Sequence, residues 1–338
     1  MPTKIEWCDE TWNPVTGCTK VSQGCKFCYA KHQMWARLAA MPNTVYAGRE
    51  FEQVMCHPER LDQPLRWSKP RMIFVNSMSD LFHPDVPDDF IDEVFAVMAL
   101  APQHAFQVLT KRPERMREYL SRPAVEVRIG LQAMAMCLDS VVATKGRSEL
   151  GRGVSLKATD INPGGLTAWP LPNAWIGVSV EDQASADERI PLLLQTPAAV
   201  RWISAEPLLG PVNLPGLFYY GTEKTGGVVP LRDRGHTQLD WVVVGGESGP
   251  NARPMHPTWA RSLRDQCAAA DIPFLFKQWG AFAPREPYAS ELMESDELCG
   301  KWDGVSYRYG KKGAGRLLDG AQHDGYPEKT VYANRNAP

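Results

Sequence analysis

The run Trp241-Val242-Val243-Val244 passes without alternation into Gly245-Gly246-Glu247-Ser248, and Thr258–Ala270 then reads as a helix. A short apolar run without polar alternation marks a strand buried on both faces, as parallel strands are. The same unit recurs along the chain. Arg71–Val75 leads into Asn76-Ser77-Met78-Ser79-Asp80 with a helix at Pro87–Leu100, and Ala105–Leu109 leads into Thr110-Lys111-Arg112-Pro113 with a helix after it. Trp175–Val178 runs into Ser179-Val180-Glu181-Asp182 with a helix near Ala184–Leu194. Val200–Ile203 runs into Ser204-Ala205-Glu206-Pro207, and Pro273–Phe276 into Lys277-Gln278-Trp279. Six such units and one strand near the N-terminus predict an α/β fold, a partial or full (β/α) TIM-like barrel. Residues just past each strand then line the active face. A doubly wound open sheet is the competing fold, although no glycine-rich dinucleotide fingerprint follows any of these strands.

The barrel is expected over residues 1–280. Two insertions, at about 122–173 and 211–238, are too long for βα loops, and 281–338 form a polar, aromatic C-terminal extension. The 338 residues suffice for a large core without staples. Hydrophobic residues make up 43% and charged residues 22%, which excludes a largely disordered chain. Thirty-seven Lys and Arg against 39 Asp and Glu give a net charge of −2, so no global field favours nucleic acid. From Lys111 to Lys157, however, ten Lys/Arg stand against five Asp/Glu. No apolar stretch approaches the ~20 residues of a membrane span, and no apolar signal region begins the chain. The expectation is a cytoplasmic protein without a membrane partner. Its eight cysteines are then thiols or metal ligands in preference to a disulfide framework.

Three of those cysteines stand in Gly17-Cys18-Thr19-Lys20-Val21-Ser22-Gln23-Gly24-Cys25-Lys26-Phe27-Cys28-Tyr29. The loop lies between the first strand and a helical stretch at Phe27–Ala40. Three thiolates so close repel one another unless a cation holds them. Three cysteines on a 4Fe-4S cluster leave one iron without a protein ligand. That iron is free to chelate the amino and carboxylate groups of S-adenosyl-L-methionine, whose one-electron cleavage releases a 5′-deoxyadenosyl radical. Phe27, just before the last cysteine, suits a place beside cluster and adenine. A second reading is a closed zinc site of Cys8, Cys18, Cys25 and Cys28, although zinc sites usually pair two Cys-x2-Cys units and one is present. A third leaves the cysteines uncoordinated. Cys56, Cys137, Cys267 and Cys299 are isolated, and buried inert thiols are the default for them.

This loop resembles the cluster loop of the radical S-adenosylmethionine superfamily, with a longer first gap than its commonest Cys-x3-Cys-x2-Cys pattern. More closely, Trp12–Cys18, Phe74–Phe82, Ser204–Gly210 and Gly245–Pro250 are similar to stretches of a poorly characterised family with a three-cysteine motif, found in phages, prophages and bacteria. Val108–Pro113 and Phe276–Gly280 fit it too. The resemblance covers most of the chain outside the two insertions. It implies a radical enzyme with a 4Fe-4S cluster and S-adenosyl-L-methionine as cofactors, an electron donor protein as partner and a barrel of the radical type. Spore photoproduct lyase is a distant relative of known chemistry, which points to a nucleic acid base as substrate, for repair or modification.

In such a barrel the loop after the second strand meets the methionine ammonium, and Ser77-Met78-Ser79-Asp80 stands where many superfamily members have Gly-Gly-Glu. Asp80 is therefore a candidate acceptor, or it caps the following turn. Ser179, Glu181 and Glu206 end strands and are candidates for cofactor contacts. Gly245-Gly246-Glu247 lets a backbone approach a ligand closely or is a plain strand-to-helix turn. Lys111, Arg112 and Lys277 are candidates for a substrate phosphate or a cofactor carboxylate. Arg112, Arg115 and Arg117 suit a phosphate backbone, with a solvated helix face as the plainer meaning. No histidine pair has metal-ligand spacing, and no cysteine or tyrosine stands out as a hydrogen donor. Two rival functions remain open: radical chemistry on a small metabolite or peptide, and a zinc-stabilised nucleic-acid-binding or phage accessory protein.

Overall fold

Seven strands form one parallel sheet whose order follows the chain: β1 (Glu10–Trp12), β2 (Met72–Val75), β3 (Ala105–Thr110), β4 (Ala174–Ser179), β5 (Val200–Ala205), β6 (Trp241–Gly245) and β7 (Phe274–Gln278). Every neighbouring pair is parallel. The computed structural model describes residues 3, 5–143, 161–162, 165–166, 168–214, 219–220, 237–284 and 306–327. An order without reversal is that of a barrel; a doubly wound sheet turns back at a switch point. Five helices accompany the sheet: α1 (Asp88–Leu100), α2 (Pro113–Leu120), α3 (Val125–Ala143), α4 (Gln183–Leu194) and α5 (Pro257–Ala269). Proline at the first turn sets the start of α2 and α5. Asp182 and Ser185 form a reciprocal capping box at α4. Among the described residues no helix is long and apolar enough to cross a membrane.

The sheet is curled into a half-barrel. Strands β2 and β6 lie four places apart, roughly 19 Å along a flat sheet. Yet the Trp7 ring lies 4.6 Å from Phe74 on β2 and 6.2 Å from Trp241 on β6, with Trp202 of β5 at 5.2 Å. The concave face is a dry cluster of Trp7, Phe74, Trp175, Trp202, Trp241, Val243 and Leu275. The convex face presents the alternate residues, among them Ile73, Val75, Ile176, Val242 and Phe276, to the helices. Gly177 belongs to the concave side because a Cβ there would stand 2.5 Å from the Trp202 indole nitrogen.

Two segments outside the recurring strand–helix units take definite form. The insertion expected from about 122 begins as helix α3, which packs on α1 through Arg128–Asp92 and Gln132–Glu93. Its later part falls largely outside the described residues, as does most of 211–238. The described tail, 306–327, is part of the fold and not an appendage. Phe276 N–H donates to His323 O and Gly325 N–H to Phe274 O, so the tail covers the free edge of β7. The Tyr326 ring lies 5.3 Å from Trp241, and Lys311 faces Glu6 at 3.7 Å. The tail thereby links β7 to the segment that leads into β1.

Two consequences are measurable. Gly177→Ala forces a methyl against Trp202, and overpacking of this kind costs about 1–3 kcal/mol, to be read from urea denaturation. His104 accepts from Arg71 N–H at Nδ1 (3.1 Å) and donates from Nε2 to Pro64 O (3.0 Å). Burial lowers its pKa from 6.5, with Arg71 adding to this against the hydrogen bond to Pro64. Below pH 6.5 the unfolded chain therefore binds more protons, and stability falls with pH. Denaturation at neutral and mildly acidic pH will show that fall, with a shallower slope in His104→Gln.

Candidate functional site at the mouth of the half-barrel

Strand alternation carries the concave side past the strand ends. Counting on in twos from Leu109, Ser179, Ser204, Gly245 and Leu275 gives Lys111, Glu181, Glu206, Glu247 and Lys277. All five stand at the C-terminal mouth, and each has an ionic partner. Lys277 Nζ lies 2.8 and 2.7 Å from the two Glu206 oxygens. Lys111 Nζ lies 2.5 Å from Glu181 Oε1, and Arg189 Nη1 3.0 Å from Glu181 Oε2. Arg253 grips Glu247 with Nε at 2.8 Å and Nη2 at 2.6 Å. Asp80 accepts from Arg112 Nη1 at 2.9 Å. Burial alone raises the Glu181 carboxyl pKa, but Lys111, Arg189 and the Ser22 hydroxyl overcome it and hold the group below its ordinary 4.5.

The cysteine loop lies across this mouth. It starts after the Val15–Thr16 strand, which pairs with Met55–Cys56, and ends in a π-helical turn, Ala30–Trp35, continued by Ala36–Ala39. Side chains tie it to successive strand ends. Tyr29 OH donates to Ser77 O at 2.7 Å, beyond β2. Arg112, beyond β3, donates to Thr19 O and Oγ1, both at 3.0 Å, and lies 3.6 Å from Cys18 Sγ. Ser22 donates to Glu181 Oε1 at 3.0 Å, beyond β4, and Gln23 pairs with Asp182. Beyond β6, Arg253 donates to Gln23 O at 3.1 Å and Ser248 O accepts from Gln33 at 3.0 Å. Phe27 lies between two cations, Lys26 at 5.2 Å and Arg253 at 5.3 Å.

The thiols of Cys18, Cys25 and Cys28 are partly buried. Burial, the Asp80 charge and Cys25 push Cys18 up to about 12 against the pull of Arg112. Burial also raises Cys28, with Cys25 adding to it. Cys25 is thus in electrostatic reach of both others. Among the described residues, no three His, Cys, Asp or Glu meet as a set that could hold a metal ion. One zinc ion would draw its sulfurs to roughly 4 Å from each other, given Zn–S bonds of about 2.3 Å. Three cysteine thiols on one loop are the donor type that an iron–sulfur cluster takes. Cys8 packs against the concave tryptophan cluster instead. Burial raises its thiol to about 12, with Lys277 opposing and Asp9 and Glu6 adding. The four-thiolate alternative therefore gains no support from the geometry.

Several expectations take a different form. For Asp80 the sequence left two partners open, a cofactor ammonium or the following turn. Its oxygens accept from Thr110 Oγ1 (2.7 Å), Phe82 N–H (3.0 Å), Lys111 N–H (3.1 Å) and Arg112, so it caps the turn and anchors Arg112. Gly246 is packed against protein, since a Cβ would stand 1.9 Å from Trp279 O, and Gly245 lies against the Glu206 carboxylate. Ser179 is buried, with its carbonyl taken by Arg189. Two of the three arginines proposed for a phosphate backbone are used inside the fold, and the third, Arg117, bonds at the surface. Arg112 is nearly buried, Arg115 holds Val86 O and Asp88, and Arg117 holds Gln195. Sequence reasoning missed Arg189 and Arg253. Arg189 sits two turns into α4 from Glu181, a spacing that signals little alone, and Arg253 had no local signal.

Asp80→Ala leaves the Arg112 guanidinium enclosed without its carboxylate. Losing one partner of a buried pair costs about 3–5 kcal/mol. Urea denaturation will show this loss, and Cys18 will be alkylated faster in the native variant as the loop comes free.

No curated protein and no solved structure matched the chain. The family described as "Protein of unknown function (DUF5131)" matches residues 2–327. With that match spanning nearly the whole sequence, the chain belongs to the DUF5131 family.

Proposed function

We propose that this protein is a radical S-adenosyl-L-methionine enzyme acting on a nucleic acid base. The observation that carries the reading is the three-cysteine loop lying across the C-terminal mouth of a parallel half-barrel, where enzymes of barrel architecture keep their chemistry. Cys18, Cys25 and Cys28 would hold a 4Fe-4S cluster. Such a cluster, when bound with S-adenosyl-L-methionine and reduced by an electron donor protein, supplies the electron that cleaves the sulfonium and yields a 5′-deoxyadenosyl radical.

The chain's own residues provide the setting. Arg112 places a fixed positive charge beside Cys18 Sγ, which favours the thiolate a metal needs. Asp80 positions Arg112 and so acts through it. The Glu206 and Lys277 side chains keep 20% and 11% exposure at the mouth, and Lys111 keeps 18%. They offer one carboxylate for an ammonium and two ammoniums for a carboxylate or phosphate. Phe27 supplies an aromatic face beside Cys28. The dry tryptophan floor below excludes water from the mouth. The nucleic acid substrate rests on the family resemblance and on the loop's chemistry.

Anaerobic reconstitution tests the reading. The protein is expected to take up about four irons and four sulfides. Cys18→Ala, Cys25→Ala and Cys28→Ala abolish this, and Cys8→Ala retains it. With dithionite, S-adenosyl-L-methionine yields 5′-deoxyadenosine, and Glu206→Gln weakens cofactor binding by about 1.5–3 kcal/mol. A protein that binds zinc alone, and loses it in Cys8→Ala, overturns the assignment.

A further inference from the structure

The segment around the three cysteines has an unusual charge. From residue 11 to residue 49 there is no Asp or Glu, while five Lys/Arg occur, on a chain whose net charge is −2. Two of the five are occupied. Lys31 pairs with Glu52, and Arg49 is held by Thr16, Val45 O and Gln53 O. Lys20, Lys26 and Arg37 are exposed, and no ion pair engages them among the described residues, although Glu52, which Lys31 holds, lies in electrostatic reach of Lys20. The same stretch of chain leaves large apolar groups open to solvent, Val21 at 44%, Tyr29 at 40% and Met41 at 43%, with the Tyr29 hydroxyl itself turned inward to Ser77 O. Phe27, flanked by Lys26 and Arg253, lies among them.

Cations that no carboxylate neutralises hold phosphates, and exposed aromatic and apolar faces hold unstacked bases. A duplex hides its base faces and would use the cations alone. We infer that the outer face of the cysteine loop is a docking surface for single-stranded nucleic acid, centred on Lys20, Lys26 and Arg37 with Tyr29, Val21 and Met41 beneath the bases. The strand crosses the mouth directly over the candidate site. The basic residues after β3 do not form its track, because Arg112 and Arg115 are spent inside the fold. This inference deepens the proposed function, but its test does not require the cluster to form.

The full-length protein is titrated with fluorescein-labelled single strands of DNA and RNA of about 20 nucleotides and with the matching duplexes. The titrations run at about 50 and 200 mM salt. Single strands are expected to bind more tightly than duplexes, and more weakly as salt rises. The triple variant Lys20→Glu, Lys26→Glu, Arg37→Glu loses binding by roughly twenty-fold or more at low salt. Three lost phosphate contacts also make its salt slope shallower by about two. The milder set Lys20→Gln, Lys26→Gln, Arg37→Gln gives a smaller loss in the same direction, and Tyr29→Ala weakens binding more than Tyr29→Phe, which keeps the ring and removes only the tether to Ser77 O. Iron and sulfide content is measured on the same samples. Absent iron in the wild type defeats the proposed function without touching this readout. Equal binding by wild type and triple variant overturns the inference, as does preference for duplex. Displacement of the strand by polyglutamate at equal charge would reassign the face to an acidic protein and overturn it equally.

Discussion

An open parallel sheet has a concave face that must be kept dry, and here one indole accomplishes most of that. Trp7 precedes β1 and plugs the hollow against Phe74, Trp202 and Trp241. Burying aromatic rings of this size contributes several kcal/mol of transfer free energy, with edge-to-face contacts adding to it. The plug fixes the curl of the sheet, because residues from strands four places apart must reach the same ring. It also fixes where the N-terminal segment runs. Gln107 Nε2 donates to Trp7 O at 3.1 Å, so the backbone there is held from the centre of the sheet. Once Trp7 is placed, β1 follows within a few residues and the cysteine loop must emerge at the mouth.

The mouth itself is an electrostatic construction. Four acid–base groups ring it: Asp80 with Arg112, Glu181 with Lys111 and Arg189, Glu206 with Lys277, and Glu247 with Arg253. Buried ion pairs are weak sources of net stability, because desolvation offsets attraction. Their value here is geometric. Three of the four groups also bond the cysteine loop, through Arg112 to Thr19, Ser22 to Glu181 and Arg253 to Gln23. The Glu206–Lys277 pair is the exception, and it keeps enough exposure to exchange its internal partner for a ligand. The loop therefore has a rigid underside, tied to strand ends, and an outer face whose cations are left for something else.

Much of this was legible in the sequence. Non-alternating apolar runs located six of the seven strands, because burial on both faces leaves a mark on composition that needs no knowledge of neighbours; β1, Glu10–Trp12, carries no such run. The polar residues that follow each run put Lys111, Glu181, Glu206, Glu247 and Lys277 at strand ends, and the Cys18, Cys25 and Cys28 spacing was visible as a motif. Pairing was not legible. Asp80 meets Arg112 across 32 residues, Lys277 meets Glu206 across 71 and Arg253 meets Gln23 across 230. No local pattern encodes such distances. So the sequence left open whether Asp80 faces a ligand or caps a turn and whether Arg112 meets phosphate or solvent, and the structure joins the two to each other.

The sequence by itself determined the principal strands and helices, the parallel direction of the strands and the polar residues at the strand ends, because these follow from burial periodicity and short-range backbone preferences. Tertiary structure alone decided which charges are neutralised internally and which face outward. It also decided that the tail closes the gap between β7 and the N-terminal segment. Both depend on which strand ends the curl of the sheet brings together, and that curl is set by the packing of tryptophans distant from one another in the chain.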